Sequence, residues 1–293
     1  MSIKQKLKNY PSLYIFIVQV LNSVNYFTLR FKILFPRYKL SENWRKRLER
    51  VKESPANHKI NHVQDAGKIK SDHQVMHNGL KITLGSYYDY GNTVLIRENK
   101  GVHEPEEEFA FQEVLKHIPK GGCMLELGSY WAYYSMWFAR EVKNARCVMI
   151  EPDPHKMNFG KLNFKLNRLL GTFDLGFMNE IADLSHSIPT YSVDYLVEKY
   201  DLRFIDILHS DIQGYELNML KGAAQTLRAG KIGYVFISTH SNELHQQCLN
   251  FLINHNFKIL YSTDLTETYS WDGLLVAASQ TIKTMPAIEI NKR

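Results

Sequence analysis

One stretch constrains this chain more than any other, Cys123 to Glu151. An apolar strand, Cys123-Met124-Leu125-Glu126-Leu127-Gly128, runs into a small-residue turn and then an apolar helix. A second strand, Cys147-Val148-Met149-Ile150, ends on Glu151. This is one βαβ unit with a carboxylate at each strand tip, 25 residues apart. In a doubly wound sheet the acid at the second tip can accept both hydroxyls of a ribose. The turn lacks the glycines that would bring a pyrophosphate onto the helix N-terminus. A nucleoside without phosphates fits better, and the commonest such cofactor is S-adenosylmethionine.

The rest of the chain repeats the alternation. Pro105 is expected to open a helix reaching about His117, its first turn rich in glutamate as the helix dipole favours. Pro119-Lys120-Gly121-Gly122 breaks the chain before the first core strand. Helices are expected over Tyr133–Val142, Pro154–Leu166, Ser192–Lys199, Tyr215–Leu227 and Asn242–Asn254. Further strands are expected over Asp174–Met178, Ile205–His209 and Tyr234–Ser238. Lys258–Ser262 and Gly273–Ala278 lie too close for a crossover helix and read as an antiparallel hairpin on an otherwise parallel sheet. Such alternation specifies an α/β layered fold. Upstream, Gln74–Leu84 and Thr93–Glu98 read as a β-hairpin leading into the core.

Two domains are expected: a basic helical arm and linker over residues 1–72, and a catalytic domain over 73–293. The charge is divided accordingly. Residues 1–50 hold eleven Lys or Arg against two Glu, a balance of +9 in a chain of net +6, which leaves the remainder mildly acidic. The apolar run from Pro11 to Phe35 is interrupted by Gln19, Asn22, Asn25, Arg30 and Lys32. A membrane span needs about 20 nearly uninterrupted apolar residues, so none is expected here. An interfacial helix with basic flanks would suit anionic lipid. The other reading is a helix packed on the body or on a second copy in a homo-oligomer. A charged helix around Trp44–Lys52 closes the arm, and Ser54–Asp72 reads as a linker. Cys123, Cys147 and Cys248 are widely spaced, which points to reduced, buried thiols in a cytoplasmic protein rather than a disulfide framework or a zinc site.

Six segments are candidates to carry the chemistry. Gly128, Ser129 and Ala132 keep the backbone bare where a ligand must approach, and Glu126 either faces the cofactor's ammonium or caps the turn. Glu151 is held at the crevice edge by Pro152-Asp153-Pro154. Asp211 stands at the end of Ile207-Leu208-His209-Ser210, followed by the turn at Gly214 and by Glu216. Ser238-Thr239-His240 ends the neighbouring strand. Methyl transfer to an alcohol must lose a proton, and a base within hydrogen-bond reach is needed. His240 has a suitable ordinary pKa of about 6.5, and Asp211 could orient the hydroxyl or take the proton itself. A structural histidine at a strand terminus is the other reading of His240. His103 and Glu104 either close over the cofactor or mark an exposed helix start. Tyr87-Tyr88-Asp89-Tyr90 reads as a platform for sugar faces or as hairpin surface.

Together these segments resemble the FkbM-type family of S-adenosylmethionine-dependent methyltransferases over Glu104 to Phe257. Leu125–Ser135 (LELGSYWAYYS) resembles the family's first motif, and Ile150–Pro154 (IEPDP) and Lys161–Asn167 (KLNFKLN) follow it. Asp211–Gly222 (DIQGYELNMLKG) is the most specific stretch, and Ser238–Ser241 (STHS) comes after it. Tyr130 and Trp131 replace the family's small polar turn, and Ala132 its glycine. The resemblance implies a Rossmann-like seven-stranded sheet with S-adenosylmethionine bound by Glu126, Gly128, Ser129, Glu151 and Asp153. It implies Asp211 and His240 near the acceptor, with no metal assigned.

The expected function is O-methylation of a hydroxyl on a sugar, glycan or glycolipid precursor, in the cytoplasm or at the inner membrane surface. A lipid-linked acceptor would give the basic arm a reason to visit a membrane. Two alternatives stand beside it. Nucleic-acid methylation is prompted by the arm, but the acidic body and the absence of an Asn-Pro-Pro-Tyr-like motif weigh against a nucleic-acid partner. A non-catalytic cofactor-binding scaffold is prompted by the altered turn at Tyr130–Ala132.

Overall fold

The computed structural model of the chain describes residues 20, 39–88 and 90–293. Most of the basic arm, and Asp89 of the aromatic run, lie outside the described residues. What is described begins with α1 (Glu42–Glu53), the charged helix expected around Trp44, capped by the Ser41 side chain.

The core is a seven-stranded sheet in the order β10-β11-β9-β8-β3-β4-β5. These are β3 (Cys123–Leu127), β4 (Arg146–Glu151), β5 (Thr172–Leu175), β8 (Ile205–Ser210), β9 (Ile232–Thr239), β10 (Lys258–Thr263) and β11 (Gly273–Ala278). Neighbours from β9 to β5 pair in parallel, and β11 pairs antiparallel with both β9 and β10. The expected C-terminal hairpin therefore forms, with its second strand inserted between the first and the parallel sheet. β3, β8, β9 and β11 are buried along their whole length. That burial explains why they read as unbroken apolar runs.

Successive side chains leave opposite faces of a strand. Met124, Ile207, Tyr234 and Phe236 accordingly join the core under α3 (Pro105–Leu115) and α4 (Tyr133–Glu141). Leu125, Leu127, Leu208 and Val235 face the other layer, with α6 (Val193–Lys199), α7 (Glu216–Lys221), α8 (Ala224–Arg228) and α9 (Asn242–Asn254). Between β4 and β5 runs α5 (Pro154–Leu166). Two short strands, β6 (Phe177–Met178) and β7 (Thr190–Tyr191), pair beside β5. All three cysteines are buried and unpaired. Among the described residues no helix is long and apolar enough to cross a membrane.

Several expected elements differ. Thr93–Glu98 is not a strand but the end of α2 (Tyr90–Glu98). Periodicity cannot separate a short buried strand from a helix that is buried on every side, and Tyr90 to Ile96 are all buried. A Cβ at Gly91 would lie 2.2 Å from the Trp44 ring, so glycine here lets α1 dock on α2. The upstream hairpin is instead β1 (His73–Val75) with β2 (Lys81–Thr83), reversing through Gly79 in left-handed backbone, φ +88°. Tyr215–Leu227 divides into α7 and α8 at Gly222, which packs on the carbonyl of Asn179. Asp174–Met178 divides between β5 and β6 at Gly176, where a Cβ would meet the Tyr191 ring. Ser54–Asp72 is not a free linker, because Ala56 and Ile60 join the main core.

Candidate active site

The chain leaves β3 in one direction for β4 and β5 and in the other for β8 and β9, which opens a crevice beyond the carboxyl ends of β3 and β8. A cleft of ≈ 410 Å³ occupies it. Its walls come from the turn after β3 (Gly128, Tyr130), the tip of β4 (Glu151), Lys156 on α5, Phe177 and Met178, and the turn after β8 (Asp211 to Gln213).

The turn after β3 packs closely on the strands beside it. Gly128 has φ +74°, and a Cβ there would lie 1.9 Å from the carbonyl oxygen of Asp211. The amides of Gly128 and Ser129 both donate to the Ile150 carbonyl, at 2.9 and 3.0 Å. Tyr130 and Ala132 adopt left-handed backbone at φ 42° and 56°, which costs L-residues about 1–2 kcal/mol each. Glu151 supports this conformation. Its Oε2 accepts from the Tyr130 amide at 3.0 Å, and its Oε1 accepts from the Asp153 amide at 2.9 Å. Burial raises the Glu151 pKa, opposed by those two amides.

The other residues expected to bind cofactor are placed differently. Asp153 is the N-cap of α5, accepting from the amides of His155 at 2.8 Å and Lys156 at 3.4 Å, and is absent from the cleft wall. Ser129 is buried behind the wall, and its hydroxyl has no hydrogen-bond partner among the described residues. Glu126 points to the α3–α4 face, where it accepts from the Ser135 amide at 3.2 Å and lies across from His209 in the ladder. Burial lifts its pKa to about 7.

The second constellation converges. His240 Nε2 lies 3.2 Å from Asp211 Oδ1, and His240 Nδ1 lies 2.9 Å from Glu216 Oε1. Gln213 Nε2 approaches both Asp211 Oδ1, at 3.0 Å, and His240. Burial opposes charge on His240, but the hydrogen bonds to Asp211 and Glu216 outweigh it and raise the imidazole to about 10. Burial would likewise raise Asp211, yet His240 and Gln213 hold its carboxyl below the ordinary range. At neutral pH this histidine already carries its proton, so the base role expected of it does not follow from the geometry. Asp272 also reaches the cluster, its Oδ1 3.8 Å from His240 Nε2; of the two aspartates, Asp211 lines the cleft, whereas Asp272 lines a smaller pocket with Glu104, Glu107 and Ser238.

Behind the site lies a polar layer that the sequence did not announce. The first-turn glutamates of α3 are buried rather than solvated. Glu106 Oε1 accepts from the Tyr269 amide at 2.5 Å and Glu106 Oε2 from the Ser270 hydroxyl at 2.9 Å. Glu107 pairs with His209 at 2.7 Å and accepts from the Ser238 hydroxyl at 3.3 Å. Glu108 meets His103 Nδ1 at 2.5 Å and His77 Nε2 at 2.9 Å. His103 is thus a core cation and neither a lid nor an exposed helix start. Trp131 is also core, stacked on Tyr87 with centroids 4.4 Å apart, whereas Tyr130 faces the cleft under the Lys156 ammonium, 4.7 Å from its ring. No spacing in the chain links Glu107 to His209 or Asp272 to His240; each pair forms only through the strand order. Among the described residues no group of three or more His, Cys, Asp and Glu side chains is arranged to hold a metal ion.

Residues 179–259 match the family model described as a methyltransferase FkbM domain. The match takes in the Asp211–Gly222 and Ser238–Ser241 segments and bears out the FkbM-type resemblance; the segments before residue 179 lie outside it. No curated protein matches the chain. Among solved structures, a precorrin-6y C5,15-methyltransferase from Geobacter metallireducens is similar at 13% identity and a TM-score of 0.42, over 58% of this chain and 87% of that one. TrmK from M. capricolum with bound S-adenosyl-homocysteine is similar at 16% identity and a TM-score of 0.38, over 59% and 68%. Aeropyrum pernix fibrillarin with bound S-adenosyl-L-methionine is similar at 16% identity and a TM-score of 0.40, over 58% and 72%.

Proposed function

We propose that this chain, an FkbM-type S-adenosylmethionine-dependent methyltransferase, methylates a hydroxyl group of a sugar, glycan or glycolipid precursor. The observation that carries the reading is that one cleft joins the Glu151 tip to the Asp211 tip. The cofactor fits the residues present. Gly128 lets the turn after β3 lie directly against the Asp211 carbonyl, where any Cβ would clash, and so brings the two cleft-lining turns together. Glu151 spends one acceptor site of each oxygen on a backbone amide, and a carboxylate has about four such sites. The remaining two suit the vicinal hydroxyls of a ribose. When bound, S-adenosylmethionine supplies an electrophilic methyl group on a sulfonium.

The chain's own residues do the rest. Asp211 and the charged His240 form a fixed dipole at the strand ends, and the acceptor hydroxyl would lie against Asp211. Tyr88, Phe177 and Tyr215 line the cleft and are each about half exposed. Their ring faces can cover the C–H faces of a sugar. The interlocked polar layer under α3 holds the site in place. Its rigidity suits a reaction that depends on alignment of donor and acceptor.

In this reading residues 73–293 are the catalytic domain and 1–72 an arm. Arg50 on α1 ties the arm to that domain, donating from Nε to the Thr268 carbonyl at 2.9 Å. The +9 charge of residues 1–50 suits contact with an anionic membrane surface, where a lipid-linked acceptor would be presented. The three buried, unpaired thiols suit the cytoplasm. The test is methyl transfer from labelled S-adenosylmethionine to a panel of methyl glycosides and glycolipid precursors. Label in a new methyl ether, lost in Asp211→Asn, is expected. Label in RNA and in no glycoside would favour the nucleic-acid alternative instead.

A further inference from the structure

The reversed strand β11 has a topological consequence. Parallel strands bring their carboxyl ends to the crevice, whereas an antiparallel strand between them brings its amino end there. Gly273, the first residue of β11, pairs with Thr239, the last of β9. Asp272 is thereby set beside His240, one residue beyond that pair. We propose that Asp272 takes the proton from the acceptor hydroxyl, with Asp211 and His240 holding the hydroxyl and the charge balance in place. The proposal rests on the hydroxyl-acceptor reading above.

Three observations support it. Asp211 is engaged by both His240 and Gln213. His240 is engaged by Asp211 and Gln213 at Nε2 and by Glu216 at Nδ1, so both of its ring nitrogens are taken. The Asp272 carboxylate, by contrast, has no hydrogen bond among the described residues, and its side chain is 26% exposed. Charged groups surround it: His240 after β9, Asp211 after β8, Glu104 before α3, Arg47 on α1, and Glu106 and Glu107 on α3, which line one small pocket with it. Burial is the largest influence and lifts Asp272 to about 7, with His240 pulling it down and Asp211 and Glu104 pushing it up. A base is most effective when its pKa lies near the working pH. Of the three groups, Asp272 is the one that meets this condition with a free oxygen.

The step balances. The acceptor oxygen forms a bond to the methyl carbon as the methyl–sulfur bond breaks, and the electron pair of that bond stays on sulfur as a neutral thioether. The hydroxyl proton passes to the Asp272 carboxylate and from its exposed edge to solvent.

Two measurements on the full chain test this. The first is a carbon-13 NMR pH titration of the aspartate carboxyls with S-adenosylhomocysteine bound, assigning Asp272 by its loss in Asp272→Asn. A midpoint near 7 is expected, and a midpoint below 5 overturns the proposal. The second compares wild type, Asp272→Asn and Asp272→Glu in methyl transfer to the glycoside panel. Asp272→Asn should lose about 10²–10⁴-fold in rate with S-adenosylmethionine affinity unchanged. It should also lose the acid limb of the pH–rate profile, and Asp272→Glu should recover part of the rate with a shifted limb. Transfer by wild type with an unchanged rate and limb in Asp272→Asn would sink the base assignment alone. No transfer by wild type to any glycoside, with cofactor bound normally, would sink the acceptor reading and this proposal with it.

Discussion

Two sets of acids lie within one molecule and have opposite fates. The first turn of α3 contributes Glu106, Glu107 and Glu108, and the strand ends contribute Glu151, Asp211 and Asp272. Burial alone does not divide them, since Glu108 is 0% exposed and Glu151 only 4%. What divides them is what their oxygens meet. Glu108 faces two imidazoles, the Tyr133 hydroxyl and the amides of His103 and Glu104. Burial would raise its pKa, yet His103 and His77 hold it well below the ordinary carboxylate range. Among the described residues Glu151 meets two backbone amides and no other donor, and burial raises it. Asp272 has no donor at hydrogen-bond distance among them. A carboxylate with all its partners inside the protein is architecture, and one with lone pairs left over at a strand end is available for chemistry.

Substitutions on each side should sharpen that division. The largest effect is expected from Glu108→Gln. Removing one partner of a buried ion pair costs about 3–5 kcal/mol, and denaturant unfolding should show that loss. Gly128→Ala comes next. Overpacking costs about 1–3 kcal/mol, and the added methyl, driven against the Asp211 carbonyl, should displace the turns that line the cleft, so calorimetry should find S-adenosylmethionine binding weakened in a folded protein. Asp153→Ala should cost only about 1 kcal/mol, the usual value of an N-cap. Its S-adenosylmethionine affinity should stay within about twofold of wild type, about 0.4 kcal/mol. A large loss of affinity there would return Asp153 to the cofactor side of the comparison.

The α3 set also makes a pH prediction. Glu108 is lowered on folding, so its contribution is present above its ordinary value and is lost as pH falls toward its folded one. Burial disfavours charge on His103, but Glu104 and Glu108 outweigh it and raise the imidazole to about 10. Its contribution is therefore full below 6.5, declines above that, and is gone once pH passes about 10. Thermal unfolding should show a stability plateau at mildly acidic pH, with losses on both sides. Glu108→Gln should flatten both flanks.

Much of this architecture is legible in the chain. The βαβ unit from Cys123 to Glu151, the later strand–helix alternation and the two strand-tip motifs follow from apolar runs that stop at acids. Pro154–Leu166, Asn242–Asn254 and Gly273–Ala278 form with the expected bounds. What the sequence conceals has two physical causes. Thr93–Ile96 is buried on all sides, so its β-branched residues carry no period that separates strand from helix. Charged residues that pair across the fold also look like solvated ones, because the partner is remote in sequence. Glu107 and His209 are 102 residues apart. The same holds at the site. Glu151 and Asp211 are legible as strand tips, whereas Asp272 becomes visible only when β11 is known to run backward beside β9. Glu126 and Ser129 lie in the expected motif, but Glu126 turns to the α3–α4 face by strand facing and Ser129 is buried in the turn, placements that spacing does not reveal.

The central claim is that the cleft between Gly128 and Asp211 holds S-adenosylmethionine through Glu151. The most direct test is isothermal calorimetry of S-adenosylmethionine binding to wild type, Glu151→Ala and Glu151→Gln. The account predicts micromolar binding by wild type, weakened by Glu151→Ala at least tenfold, about 1.4 kcal/mol, with Glu151→Gln between the two. Equal binding by all three proteins, or none by a well-folded wild type, would contradict it.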